Sequence, residues 1–103
     1  MKTQELGGNI LLQNFDLDGT EMVVVRKLVG KYAEKIRHFT QYDELKLEMK
    51  SHKKGKNKQF EIKALLSYDK NLAFSEAQGL NVFVLIDDIM KKVLQEVEQK
   101  IKK

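Results

Sequence analysis

Two aspartates stand two apart at Asp16 and Asp18, within the run FDLDGT at Phe15–Thr20, and two more stand side by side at Asp87 and Asp88. Carboxylates are hard oxygen ligands, so these four brought together would suit a divalent cation, and a lysine held beside them would take up charge developing on a phosphoryl group. His38 and His52 are the only histidines, and neither has a companion at a metal-ligand spacing, so both read as surface residues. No serine sits in a nucleophile-elbow context. Cysteine is absent, which excludes disulfides and thiolate metal sites and fits a reducing cytoplasm. The most abundant reactive side chain is lysine. Lys50 to Lys58 carries five lysines and a histidine without one acid. Residues 1–43 hold six Lys/Arg and six Asp/Glu, whereas residues 44–103 hold thirteen lysines and nine acids. The formal charge of +4 therefore resides in that lysine run and the C-terminal tail. A localised basic excess favours a polyanion, either nucleic acid or an acidic membrane surface, although lysine-rich turns also serve only to keep a small domain in solution.

FDLDGT resembles the nucleophile signature of haloacid-dehalogenase-type phosphatases. That resemblance would make Asp16 the group attacking phosphorus, Asp18 the general acid/base, and both of them magnesium ligands. Three features oppose it. Such enzymes need a parallel, doubly wound sheet built from βα units, whereas consecutive hairpin strands dominate here. Asp87 and Asp88 fall in the first turns of a helix, where the helix dipole favours carboxylates without any metal. The 103 residues also leave little room for that fold. A strand followed by a turn and a helix cap uses Asp, Gly and Thr in any case. No enzyme, metal or cofactor is expected.

The elements that must carry the lysines are legible from periodicity. Leu45, Leu47 and Met49 alternate with Lys46, Glu48 and Lys50, and Phe60, Ile62 and Ala64 alternate with Glu61 and Lys63. Period two on both sides of a polar interruption predicts two antiparallel strands, each with one dry and one wet face, joined by a turn over Lys50–Lys58. Asn9–Phe15 is an apolar run of strand length. Thr20 is placed to cap a helix over Glu21–Phe39, whose apolar stripe is Val25, Leu28, Val29, Tyr32, Ala33, Ile36 and Phe39. Its wet side holds Arg26, Lys27, Lys31, Lys35 and Arg37, and Val23 to Val25 weaken its first turn. After a turn at Ser67–Asn71 comes a third short antiparallel strand, Leu72–Ala77, closed by Gly79. Asn81 caps a last helix with Val82, Leu85, Ile86, Ile89, Val93, Val97 and Ile101 on its apolar side and Lys91, Lys92 and Lys100 outside it. Lys102 and Lys103 suit the negative end of that helix's dipole. The predicted fold is α+β, in the order β-α-β-β-β-α: a four-stranded sheet with two helices packed on one face. Residues 1–8 are expected to be a loose lead-in and residues 9–103 a single domain. No apolar run approaches a membrane span, and MKTQELGG lacks the apolar core of a signal peptide.

FSEAQGLNVFVLIDDIMKKVLQEVEQKIKK and VGKYAEKIRHF together resemble the short form of the ribosome hibernation promoting factor and ribosome-associated translation inhibitor family. Ile86-Asp87 match its pattern and Lys92 falls on a family lysine. Lys31 and Lys35 fall on the basic positions of the first helix. Asn81, Phe83, Ala33 and Gln95 depart from it, as do Gly30 and the cationic run SHKKGKNK. The resemblance implies a cytoplasmic protein that docks its basic helix face on ribosomal RNA of the small subunit. It would occupy the channel used by messenger and transfer RNA, inhibit translation and preserve idle ribosomes under stress. The RNA-binding residues expected are Lys27, Lys31, Lys35, Lys91 and Lys92 on the helices and Lys53, Lys54, Lys56 and Lys58 on the hairpin. Longer members of the family carry a further dimerisation domain; none is expected within these residues, so the free protein should be a monomer, with no small-molecule substrate and no membrane partner.

The residues alone reach a less specific reading. Clustered cations on rigid helices suit phosphate contacts, which carry little sequence information. Tyr42 and Tyr68 are the only aromatics expected to be exposed for base stacking, while Tyr32 and Phe39 read as core. Two alternatives stay open: a general structured-RNA-binding module, since a sheet with two helices on one face also resembles double-stranded-RNA-binding domains, and a protein-interaction domain whose lysines only solubilise it.

Overall fold

A computed structural model describes residues 3–5 and 8–101, with the side chains of 3–5 and 54 left aside. The chain order is β1 (Thr3–Glu5), β2 (Ile10–Gln13), α1 (Gly19–Arg37), β3 (Tyr42–Lys54), β4 (Asn57–Tyr68), β5 (Asn71–Gly79) and α2 (Val82–Ile101). The strands lie side by side in sequence order, β2 and β3 parallel and every other pair antiparallel. The expected β-α-β-β-β-α unit is present from β2 onward. An additional edge strand, β1, pairs Thr3 with Gln13 and Glu5 with Leu11. Within the lead-in 1–8, then, Thr3–Glu5 is strand, while Met1, Lys2, Leu6 and Gly7 lie outside the described residues, as do Lys102 and Lys103. The β1–β2 connection turns through left-handed backbone at Gly8 and Asn9, φ 66° and 61°, conformations that glycine and asparagine adopt at least cost.

The alternation read from the sequence sets the layers. Leu45, Leu47 and Met49 of β3 stand opposite Leu66, Ala64 and Ile62 of β4, and all six are buried. Ile10 and Leu12 of β2 and Ala73 of β5 extend this dry face. Val25, Val29 and Ile36 of α1 and Ile86, Ile89, Met90, Val93 and Val97 of α2 close it from above with essentially no solvent exposure. Each such aliphatic side chain contributes about 1.5–3 kcal/mol by leaving water. α1 packs on β3 and α2 on β4 and β5, and the two helices pack on each other.

Four features differ from expectation. Asp18, not Thr20, caps α1: its side chain accepts from the Glu21 amide at 2.8 Å while Glu21 accepts from the Asp18 amide at 3.4 Å, a reciprocal capping box. The helix therefore starts at Gly19 and carries Val23–Val25 with it, because burial of Met22 and Val25 outweighs the β-preference of three valines. The β3–β4 connection is not a nine-residue loop. Pairing continues to Lys54–Asn57, leaving the two-residue turn Gly55-Lys56, in which Gly55 has φ 62°. Lysines end the apolar pattern but not the backbone ladder, whose hydrogen bonds are indifferent to side-chain polarity. Likewise β5 extends beyond Leu72–Ala77, since a two-residue turn at Asp69-Lys70, φ 47° and 63°, replaces the five-residue one. Finally, Tyr42 and Tyr68 are buried, at 7% and 2% exposure, and offer no stacking surface. The Tyr42 hydroxyl donates to the Gly8 carbonyl at 2.6 Å, which draws the ring under the first hairpin.

Candidate functional site

α1 and α2 meet along a seam at which one polar cluster forms. Tyr32 on α1 donates a hydrogen bond to Asp87 on α2, 55 residues away. Lys91, one turn further along α2, pairs with the other carboxylate oxygen at 2.8 Å. The Lys35 ammonium sits 5.3 Å from the Tyr32 ring centroid, and Lys31 is near enough to act on Asp87 electrostatically. Lys27 lies one turn before Lys31 on the same exposed ridge of α1. The seam thus sets Lys31 and Lys91 beside the Asp87 carboxylate, with Lys35 at the Tyr32 ring and Lys27 one turn further along α1, while Asp88 also acts on Tyr32 and Lys91.

Lys91 and then Tyr32 hold the Asp87 carboxyl below its usual range through their hydrogen bonds, and the same contact raises Lys91. The Tyr32 phenol is pushed up to about 12, by burial first and then by its bond to Asp87. A folded-state value above the unfolded one means that neutral Tyr32 contributes fully below its ordinary 10.0 and loses that contribution as the pH climbs toward about 12. Tyr32→Phe is therefore expected to cost about 1 kcal/mol near neutrality, with the deficit shrinking in strong alkali. Urea unfolding of both proteins across that range measures it, and a pH-independent difference would contradict the bond.

The other expected cations lie elsewhere. Lys92 is one residue past Lys91 and so about 100° further round α2, on the flank shared with Asp88 and Glu96. Glu96 acts on Tyr68 of β4, which places that flank over the β4–β5 side. Lys53, Lys54, Lys56 and Lys58 occupy a ribbon that projects past the sheet, since β2 ends opposite Glu48 and β5 ends opposite Phe60. The molecule measures 47 × 24 × 20 Å as a result. Lys53 stands directly opposite Lys58, a like-charge pair that costs stability unless an anion intervenes. His52, exposed on the same ribbon, lies 3.6 Å from Glu61. His38 is exposed at the end of α1.

Arg37 is occupied structurally: it bonds Glu34 at 3.2 Å and the Tyr42 hydroxyl at 3.2 Å, and stacks on the Tyr42 ring. Asp18 is engaged in capping α1, and among the described residues no group of three or more His, Cys, Asp or Glu side chains is placed to hold a metal ion. Among the described residues no helix is long and apolar enough to cross a membrane. Tyr32, expected as core, and Asp87, expected as a carboxylate favoured by the helix dipole, are joined in the site by a contact that the sequence does not disclose. The Asp87–Lys91 spacing of four was the one available signal.

The same fold occurs in solved structures. The N-terminal domain of Protein Y from Thermus thermophilus superposes with a TM-score of 0.57 at 18% identity, covering 86% of this chain and 93% of that one. This chain has the Protein Y N-terminal fold. A ribosomal subunit interface protein from Coxiella burnetii superposes with a TM-score of 0.62 at 12% identity, covering 91% of this chain and 98% of that one. Neither a protein-family model nor a curated protein matches the sequence.

Proposed function

We propose that this protein binds the small ribosomal subunit, docking the seam lysines Lys27, Lys31, Lys35 and Lys91 on ribosomal RNA. The observation that carries the reading is the cationic seam itself, held on a fold shared with a ribosomal subunit interface protein. Phosphate recognition by lysine needs charge at fixed positions rather than sequence readout. The packed helix pair supplies this, and the Tyr32–Asp87 bond keeps the two rows in register. The ribbon lysines Lys53, Lys54, Lys56 and Lys58 add a second contact at the far end of the molecule, where a phosphate would offset the Lys53–Lys58 repulsion. Docked in the messenger and transfer RNA channel, the protein would exclude both RNAs and hold the ribosome idle, a binding function without catalysis. Sucrose-gradient co-sedimentation with purified small subunits tests it. With about six phosphate contacts, affinity should fall on the order of a thousandfold between about 50 and 200 mM salt. Binding indifferent to salt, or equal binding to naked duplex RNA, would overturn the assignment.

A further inference from the structure

β5 is an edge of the sheet, and among the described residues no strand pairs with its outer side. It is nine residues long, pairs with β4 without a register shift and contains no proline. Such an edge exposes a row of unpaired backbone donors and acceptors, and natural proteins usually blunt it with proline, a bulge or lysine. Here the only charge on the strand is Glu76, and Leu72 and Phe74 stand 64% and 54% exposed on the face the helices leave open. Above the same edge, α2 presents Asp88, Lys92, Glu96 and Lys100, all exposed, four residues apart and alternating in sign. Lys100 reaches the Asn71 side chain at 3.3 Å, so the stripe borders β5. Although i,i+4 spacing would let these four pair along the helix, they form no ion pair with one another.

We infer that β5 is the seat of a twofold dimer of this chain, in place of the free monomer expected from the sequence. Two copies of β5 run antiparallel across the axis and join their sheets edge to edge, an isologous contact. The helix stripe is self-complementary in that arrangement. Symmetry about position 94 sets Lys92 against Glu96 of the partner subunit and Asp88 against Lys100 of the partner subunit. The height of the axis follows independently from how α2 sits on β5. A Cβ at Gly79 would lie 3.1 Å from the Leu85 side chain, and Lys100 meets Asn71, so these pairs are level with each other. With a rise of about 1.5 Å per helical residue and about 3.3 Å per strand residue, position 94 comes level with about residue 74. The axis that satisfies the charges therefore passes beside Phe74 and brings it next to its own copy, where aromatic pairs across strands attract.

A strand about 30 Å long, with a contact strip about 15–20 Å deep, buries roughly 1,000 Å² in total, at the low end of specific interfaces. The dimer is thus concentration-dependent rather than obligate. α1 lies on the far side of α2 from β5, so Lys27, Lys31 and Lys35 stay uncovered.

Analytical ultracentrifugation of the full chain from micromolar to millimolar concentration tests this. The mass should rise from 12.0 kDa toward twice that value. Phe74→Lys and Lys92→Glu should each weaken association about tenfold or more, whereas the exchange Lys92→Glu with Glu96→Lys restores opposite signs across the axis and should recover it. A mass fixed at 12.0 kDa throughout, a dimer that Phe74→Lys leaves intact, or an exchange variant no better than Lys92→Glu alone would each overturn the inference.

Discussion

Replacing Lys27, Lys31 and Lys35 together by alanine is expected to remove most small-subunit binding while leaving the fold in place. All three are exposed on the outer ridge of α1, so truncation uncovers no core. Each phosphate contact contributes about 0.9 to the slope of log affinity against log salt and is worth about fifteenfold near 50 mM. The triple variant should therefore bind on the order of a thousandfold more weakly there. Its remaining affinity should fall only about fortyfold on raising salt to about 200 mM, against on the order of a thousandfold for the parent. The slope matters more than the loss. A variant that bound weakly but kept the parent's salt dependence would have lost something other than phosphate contacts, and the ridge would not be the docking surface. Lys91 is left out of this test because its ammonium already pairs with Asp87, so removing it disturbs the seam as well as the charge.

How far the sequence led is clearest from what each signal encodes. The stripe of α2 and the alternation of β3 and β4 record which faces are dry, and the structure has those faces where periodicity put them. Periodicity is silent where both faces are wet. The outer half of the β3–β4 ribbon is polar on both sides and reads as a loop in sequence, although its backbone pairs to the last residue before the turn. β1 is three residues of TQE, too short to show any period. Tyr42 and Tyr68 follow or precede polar residues at strand ends, and only the tertiary structure covers them. The candidate site divides in the same way. The Lys27–Lys31–Lys35 ridge is a local i,i+4 pattern and was readable. That Lys91 joins it and Lys92 does not depends on which flank of α2 faces α1, a fact fixed by the Tyr32–Asp87 contact between residues remote in sequence.

Leu65 and Leu66 are neighbours on β4 facing opposite ways, and truncating them should have very different effects. Leu66 is fully buried, opposite Leu45 on one side and Ala73 on the other, beneath the helices. Leu66→Ala leaves a cavity that such small cross-strand neighbours as Ala73 cannot fill, and the cost should be about 2–5 kcal/mol. That is a large share of the roughly 5–15 kcal/mol that holds a domain together, and at about 4–8 °C per kcal/mol it lowers the melting temperature by about 8–40 °C. Leu65 is only partly buried, between Lys46 and Phe74 on the open face, where water replaces the lost atoms. Leu65→Ala should cost less than about 1 kcal/mol. Thermal unfolding of the two variants is thus a direct assay of the one-sided sheet. Comparable losses would mean that both faces are covered, and the two helices would no longer be one layer with a single exposed seam. The cations depend on that same geometry: with α1 and α2 pressed on one face, the outer ridge of α1 and the seam side of α2 have only one direction in which to point.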